Sequence, residues 1–198
     1  DTVIEELATD KDGKLTFTAD LPIGFEYYIK ETSPAPGFAT TDETQEFTFE
    51  YEGAEKEKVS YAFTFEDEPT VIEITKTSLT DGKELEGAKL QVTDESGKVV
   101  DSWTSGKEAH IIKELVVGQK YTLTETKPAD GYVTAEEIPF RLIQKTDGDG
   151  EWLQEWTVQI QKTAGGITYW KDLDAHQIIM EDDITRVEIR KTESDGKT

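Results

Sequence analysis

Apolar and polar residues alternate with a period of two through most of this chain, the spacing expected of strands with one buried face. Three runs keep it clearly: Val71-Ile-Glu-Ile-Thr-Lys76, Tyr121-Thr-Leu-Thr-Glu125 and Ile178-Ile-Met-Glu-Asp182. In each, the inward set ends on an ionisable residue. Ile72 and Ile74 lead to Lys76, Tyr121 and Leu123 to Glu125, and Ile178 and Met180 to Asp182. One such residue is explained by a strand that emerges into solvent. Three of complementary charge point to a shared buried site, because an unpartnered charge in a core is costly.

The pattern occurs more than once. Tyr27, Ile29 and Glu31 share one parity in Phe25-Glu-Tyr-Tyr-Ile-Lys-Glu-Thr-Ser-Pro-Ala-Pro-Gly-Phe38, a second copy of the glutamate stretch Tyr121–Tyr132. Phe63, Phe65 and Asp67 share another, which predicts a second acceptor strand over 61–67. Glu31 and Asp67 are 36 positions apart and Glu125 and Asp182 are 57 apart, so the later copy carries a 21-residue insertion. Its place is 143–174, where Thr146-Asp-Gly-Asp-Gly-Glu-Trp152 predicts a turn and a lengthened hairpin.

Val187-Glu-Ile-Arg-Lys191 repeats the opening strand, since Lys191 and Asp182 follow Lys76 and Asp67 by the same 115 positions. The first copy has no lysine strand of its own. Lys11 and Lys14 flank the Asp10-Lys-Asp-Gly13 turn and end no apolar face, although Lys14–Ala19 alternates well enough for a strand. The organisation read from these parts is 1–69, a domain lacking its first strand; 70–184, a complete domain; and 185–198, the first strand of a following or neighbouring domain. Short segments separated by Asp-Gly, Gly-Lys and Pro-Gly turns predict an all-β chain of tandem antiparallel β-sandwiches, with few or no helices.

These residues resemble the CnaB-type, prealbumin-like domains of Gram-positive surface adhesins and pilins. In that family a lysine near the end of the first strand, a glutamate in a YxLxETxAPxGY box and an Asp or Asn in the last strand form an intramolecular isopeptide bond. The resemblance implies that Lys76 is the nucleophile, Asp182 the acceptor and Glu125 the proton shuttle. It implies the same part for Glu31 in the first copy, whose acceptor is Asp67. The box here reads YTLTETKPADGY, with Lys-Pro-Ala where the family has an Ala-Pro order; this alters the turn and leaves Glu125 in place. By counting parts, Lys191 either belongs with a domain outside this chain or meets Asp67 in trans, joining subunits head to tail.

Composition narrows the function. A net charge of −22 excludes nucleic acid as a partner and disfavours anionic membrane surfaces. Cysteine is absent, so neither a disulfide nor a thiolate metal site can staple the fold. No window has the apolar length of a membrane span. The location implied by the family is the extracellular, cell-wall-anchored surface, with signal and anchor outside this chain. No cofactor is expected, and no phosphate loop, nucleophile elbow or Ser/His/Asp order marks a turnover enzyme.

Other candidates are weaker. Asp147, Asp149 and Glu151 alternate as calcium ligands can, but the rest of a full loop is missing, which favours an ordinary hairpin turn. Trp103, Trp152, Trp156 and Trp170 could form a sugar-stacking platform. Trp152 and Trp156 share a parity with Val158 and Ile160, however, and this favours packing. His110 and His176 form no metal spacing. Two functions follow: a stalk or fibre repeat stiffened by Lys-Asp isopeptide bonds, and a module binding a host glycan or matrix protein through the tryptophan-containing insertion.

Overall fold

The computed structural model describes residues 2–40, 43–50, 60–148 and 152–186, apart from the side chains of Trp152 and Gln154. The described residues divide into two units, one within 1–30 and 43–64 and the other within 31–42 and 65–198. Residues 31–40, which the repeat assigns to the first copy, therefore belong to the second unit.

In the first unit, β1 (Glu26–Lys30) and β2 (Thr44–Thr48) form an antiparallel pair with Tyr27 opposite Phe47. The rings of Tyr27, Phe47, Phe49, Tyr61 and Phe63 gather with centroids 5.1–6.3 Å apart. No described residue of this unit is buried.

Two expected strands are not formed. Residues 14–19 make no ladder; instead the Glu5 carboxylate accepts hydrogen bonds from the Thr18 and Ala19 amides at 3.0 and 3.1 Å. Residues 61–67 keep their alternating burial, with Phe63, Phe65 and Asp67 half-buried, but they also make no ladder. Residues 61–63 meet β2 through side chains instead, with the Phe63 ring 5.1 Å from Phe47 and the Tyr61 hydroxyl donating to Thr48 O at 3.0 Å.

The second unit is a β-sandwich. One sheet has six strands in the order β10-β9-β8-β7-β4-β5: β4 (Lys89–Asp94), β5 (Val99–Thr104), β7 (Lys120–Lys127), β8 (Ile138–Thr146), β9 (Trp152–Ala164) and β10 (Ile167–Asp172). The other has three strands in the order β11-β3-β6: β3 (Val71–Ser78), β6 (His110–Lys113) and β11 (Gln177–Asp182). The core lies between them. Ile72, Ile74, Ile112, Ile178 and Met180 face Leu90, Val92, Tyr121, Leu123, Phe140, Leu142, Val158 and Ile160. The single helical turn among the described residues is a 3-10 turn, Asp174–His176.

The β-sandwich expected from the period-two pattern is thus formed, with one exception to its antiparallel pairing. β11 runs parallel to β3, with Ile178 level with Ile74 and Met180 level with Lys76. The insertion is a long hairpin closed by Gly165-Gly166. Both glycines have positive φ, 59° and 79°, as a two-residue turn of this hand requires.

Candidate functional site

Period-two alternation on three strands brings Lys76, Glu125 and Asp182 to one point in the core. Ile72, Ile74 and Lys76 point inward from β3, Tyr121, Leu123 and Glu125 from β7, and Ile178, Met180 and Asp182 from β11. Lys76 and Glu125 are each 4% exposed and Asp182 is 0% exposed. Lys76 is level with Met180, so Asp182 lies one same-face step further along the neighbouring strand. The long lysine stem spans that diagonal, and its Nζ donates a hydrogen bond to Asp182 Oδ1. Glu125 arrives from the facing sheet, with Oε1 3.2 Å from Lys76 Nζ.

The carboxylates are held unequally. Glu125 Oε2 accepts a hydrogen bond from the Ala135 amide at 2.8 Å, which fixes the group and turns Oε1 toward the lysine. Neither Glu125 Oε1 nor Asp182 Oδ2 has a well-aligned hydrogen-bond donor among the described residues, and both are buried. Burial pushes the Asp182 carboxyl above the usual carboxylate range. The Lys76 ammonium opposes that shift and Glu125 adds to it. An amine, a carboxyl biased toward its protonated form and a tethered second carboxylate therefore meet in a site closed to water.

The other predicted residues are placed differently. Asp67 lies in the second unit, half-buried, with Oδ1 buried and without a hydrogen-bond partner among the described residues. Glu31 is half-buried in the same unit. Lys191 lies outside the described residues, as do Asp149 and Glu151, so of the calcium candidates only Asp147 is described. Among the described residues no cluster of three metal-ligating side chains occurs.

The described tryptophans are not assembled into one platform. Trp103 and Trp156 pack against the core from β5 and β9. Each stacks on a histidine, Trp103 on His110 at 4.1 Å and Trp156 on His176 at 3.7 Å, while the Arg141 guanidinium lies 4.4 Å over Trp170. The histidines that look isolated in the sequence are these stacking partners. The residue the sequence reading missed is Ala135, which acts through its main chain and so leaves no side-chain signature.

The β-sandwich is of the prealbumin-like class, and its buried Lys/Glu/Asp cluster lies between the first strand, the glutamate box and the last strand. The family model for the SpaA prealbumin-like fold domain matches residues 1–62 and 70–156, well over half of the sequence, and the chain belongs to that family. The resemblance drawn from the glutamate box is thereby borne out. No curated protein matches the chain.

Among solved structures the chain is similar to the C-terminal fragment of the pilus adhesin SpaC from Lactobacillus rhamnosus GG, at 21% identity over 63% of this chain and 49% of that one, with a TM-score of 0.42. It is also similar to the pilus-presented adhesin Spy0125 (Cpa), at 33% identity over 46% of this chain and 18% of that one, with a TM-score of 0.33. A third is BcpA, the major pilin subunit of Bacillus cereus, at 16% identity over 58% and 30% of the two chains, with a TM-score of 0.32. The chain spans about half, or less, of the length of each of these proteins.

Proposed function

We propose that this chain is a structural repeat of an extracellular adhesin or pilus-like fibre, and that Lys76 and Asp182 condense to an amide within its second unit. The observation that carries the reading is the buried meeting of Lys76 Nζ with Asp182 Oδ1, with Glu125 Oε1 3.2 Å away. The ion pair and the neutral amine–acid pair hold the same number of protons. Burial penalises the charged form, so the reactive neutral pair is reached without exchange with solvent.

The neutral Lys76 amine attacks Asp182 Cγ. Glu125 Oε1 takes a proton from the attacking nitrogen and returns it to the departing hydroxyl, which leaves as water. Glu125 ends as it began, so the chain acts once on itself and is no turnover enzyme. The product replaces a buried pair by a neutral amide and closes a long loop, for which about 2–4 kcal/mol is typical of a disulfide. In a chain without cysteine it does the work of one.

The mass of the intact protein, measured after denaturation, tests this. The wild type weighs one water less than its sequence, while Lys76→Ala and Glu125→Ala keep the full mass and melt at lower temperature. A wild type of full mass whose peptides contain free Lys76 refutes the bond.

Asp67 supports an extension of the same chemistry. Its buried, unpartnered Oδ1 suits an acceptor awaiting a lysine, and Lys191 ends the strand-like run that repeats the Lys76 strand. Lys191 then either serves a following repeat, leaving Asp67 to a lysine strand outside this sequence, or meets Asp67 in trans from a neighbouring subunit.

A further inference from the structure

Two stretches of main chain far apart in sequence are bonded alike. Gly37 O accepts a hydrogen bond from Thr70 N at 2.9 Å, Ala39 N donates to Glu68 O at 2.9 Å, and Phe38 bridges Pro69. Gly131 O accepts from Thr185 N at 2.9 Å, Val133 N donates to Asp183 O at 2.9 Å, and Tyr132 bridges Ile184. The repeat equates Gly37 with Gly131, Ala39 with Val133, Thr40 with Thr134 and Thr70 with Thr185. In both places the loop after the glutamate box clasps the link that follows the acceptor aspartate.

The two clasps differ in what covers them. The first is buried, with Thr70 at 1%, Thr40 at 7% and Ala39 at 8% exposure. Its cover is the turn after β6. Glu114 N donates to Thr70 O at 2.9 Å, and the Thr70 hydroxyl donates to Leu115 O at 2.7 Å. The Glu114 main chain lies so close that a Cβ on Gly37 would fall 2.8 Å from Glu114 O. In the second clasp Gly131, Thr134 and Thr185 are exposed, Val133 is 49% exposed, and a Cβ on Gly131 would meet nothing within 4 Å. There the Thr185 hydroxyl donates to Gly131 O at 3.0 Å, as Thr70 does to Gly37 O at 3.3 Å, but among the described residues it has no counterpart of the Leu115 carbonyl.

We infer that the clasp formed by Gly131–Thr134 and Asp183–Thr185 is a docking face for one further prealbumin-like repeat joined after Thr185. That repeat seats the turn equivalent to Glu114-Leu115 over Val133. Thr185 O accepts from the main-chain N–H equivalent to Glu114, and the Thr185 hydroxyl swings to the carbonyl equivalent to Leu115. The occupant follows from the repeat: the same module is already covered in this way once, and Val187-Glu-Ile-Arg-Lys191 carries the alternation of the strand that opens such a unit. Burial of Val133 supplies the apolar part of the contact. The face does not depend on whether Lys76 and Asp182 condense.

The absence of cysteine makes the test clean, because one introduced thiol is the sole thiol. Val133→Cys and Thr134→Cys are compared in the present chain and in one continued after Thr185 by a second run of residues 71–198. Ala39→Cys is the protected control in both. The expected result is rapid maleimide labelling of both probes in the present chain and labelling slower by about tenfold or more in the extended one, matching Ala39→Cys. Equal labelling rates at Val133→Cys in the two chains, with Ala39→Cys protected in both, overturn the inference. Loss of protection at Ala39→Cys in the extended chain overturns it as well, since the two clasps are then incompatible in one polypeptide.

Discussion

Asp182 lies two residues beyond Met180, the residue level with Lys76 in the parallel β3–β11 pair, and the lysine crosses that diagonal to reach its carboxyl. Side chains level with each other across a ladder would suit two short groups. One long and one short side chain suit the diagonal. The site therefore depends on register, and a slip of one residue would turn Asp182 to solvent.

Removing the lysine should expose the titration of the buried Asp182 carboxyl. In Lys76→Met two buried carboxyls remain without their cation, and the group that opposes the upward shift at Asp182 is gone. The unfolded chain then loses the Asp182 proton near the ordinary value of about 3.9, while the folded chain holds it to higher pH. Across that window the folded state binds more protons, so stability falls as pH rises, by up to about 1.4 kcal/mol per pH unit. Denaturant midpoints measured from acid to neutral pH check this; a midpoint that rises with pH contradicts it.

Asp182→Asn should still condense, releasing ammonia in place of water. The amide left behind is the same, so the variant and the wild type should converge on one mass, although their unreacted sequences differ. The chain contains no asparagine of its own, which makes the comparison unambiguous by peptide mapping. A variant that retains its ammonia would show that the leaving group needs the proton carried by an acid.

If Lys191 and Asp67 join between molecules, boiling in detergent should leave a ladder of covalent oligomers, and Lys191→Ala or Asp67→Ala should reduce it to one band. A single band in the wild type removes the intermolecular bond.

Gly37→Ala and Gly131→Ala separate backbone strain from collision. Both glycines have φ near +90°, at 91° and 89°, so alanine costs about 1–3 kcal/mol at either. Only at Gly37 does the new methyl also meet the Glu114 main chain. Thermal unfolding should place Gly37→Ala clearly below Gly131→Ala, and equal melting temperatures would argue that the Glu114 turn yields freely.

The three site residues were legible because each sits on the inward parity of a well-patterned strand, and parity alone fixes which side of a sheet a side chain takes. Register was not legible. Alternation carries no information about which neighbour a strand takes or in which direction, so the parallel β3–β11 pair had to be seen. The run 14–19 shows the converse, since its pattern suits a strand but the Glu5 carboxylate occupies amides a ladder would need. Main-chain roles were hidden too, as at Ala135 and in the two clasps, because a peptide N–H has the same donor in every residue type except proline.

Because β3 and β11 run side by side in one direction, the polypeptide enters that pair at one end, at Val71, and leaves it at the other, at Asp182. Tension applied through the chain would slide these strands lengthwise, straining every rung of the ladder together rather than opening them in turn. A bond between Lys76 and Asp182 would short-circuit that path, passing the pull from strand to strand through one amide and sparing the six-stranded sheet and its inserted hairpin.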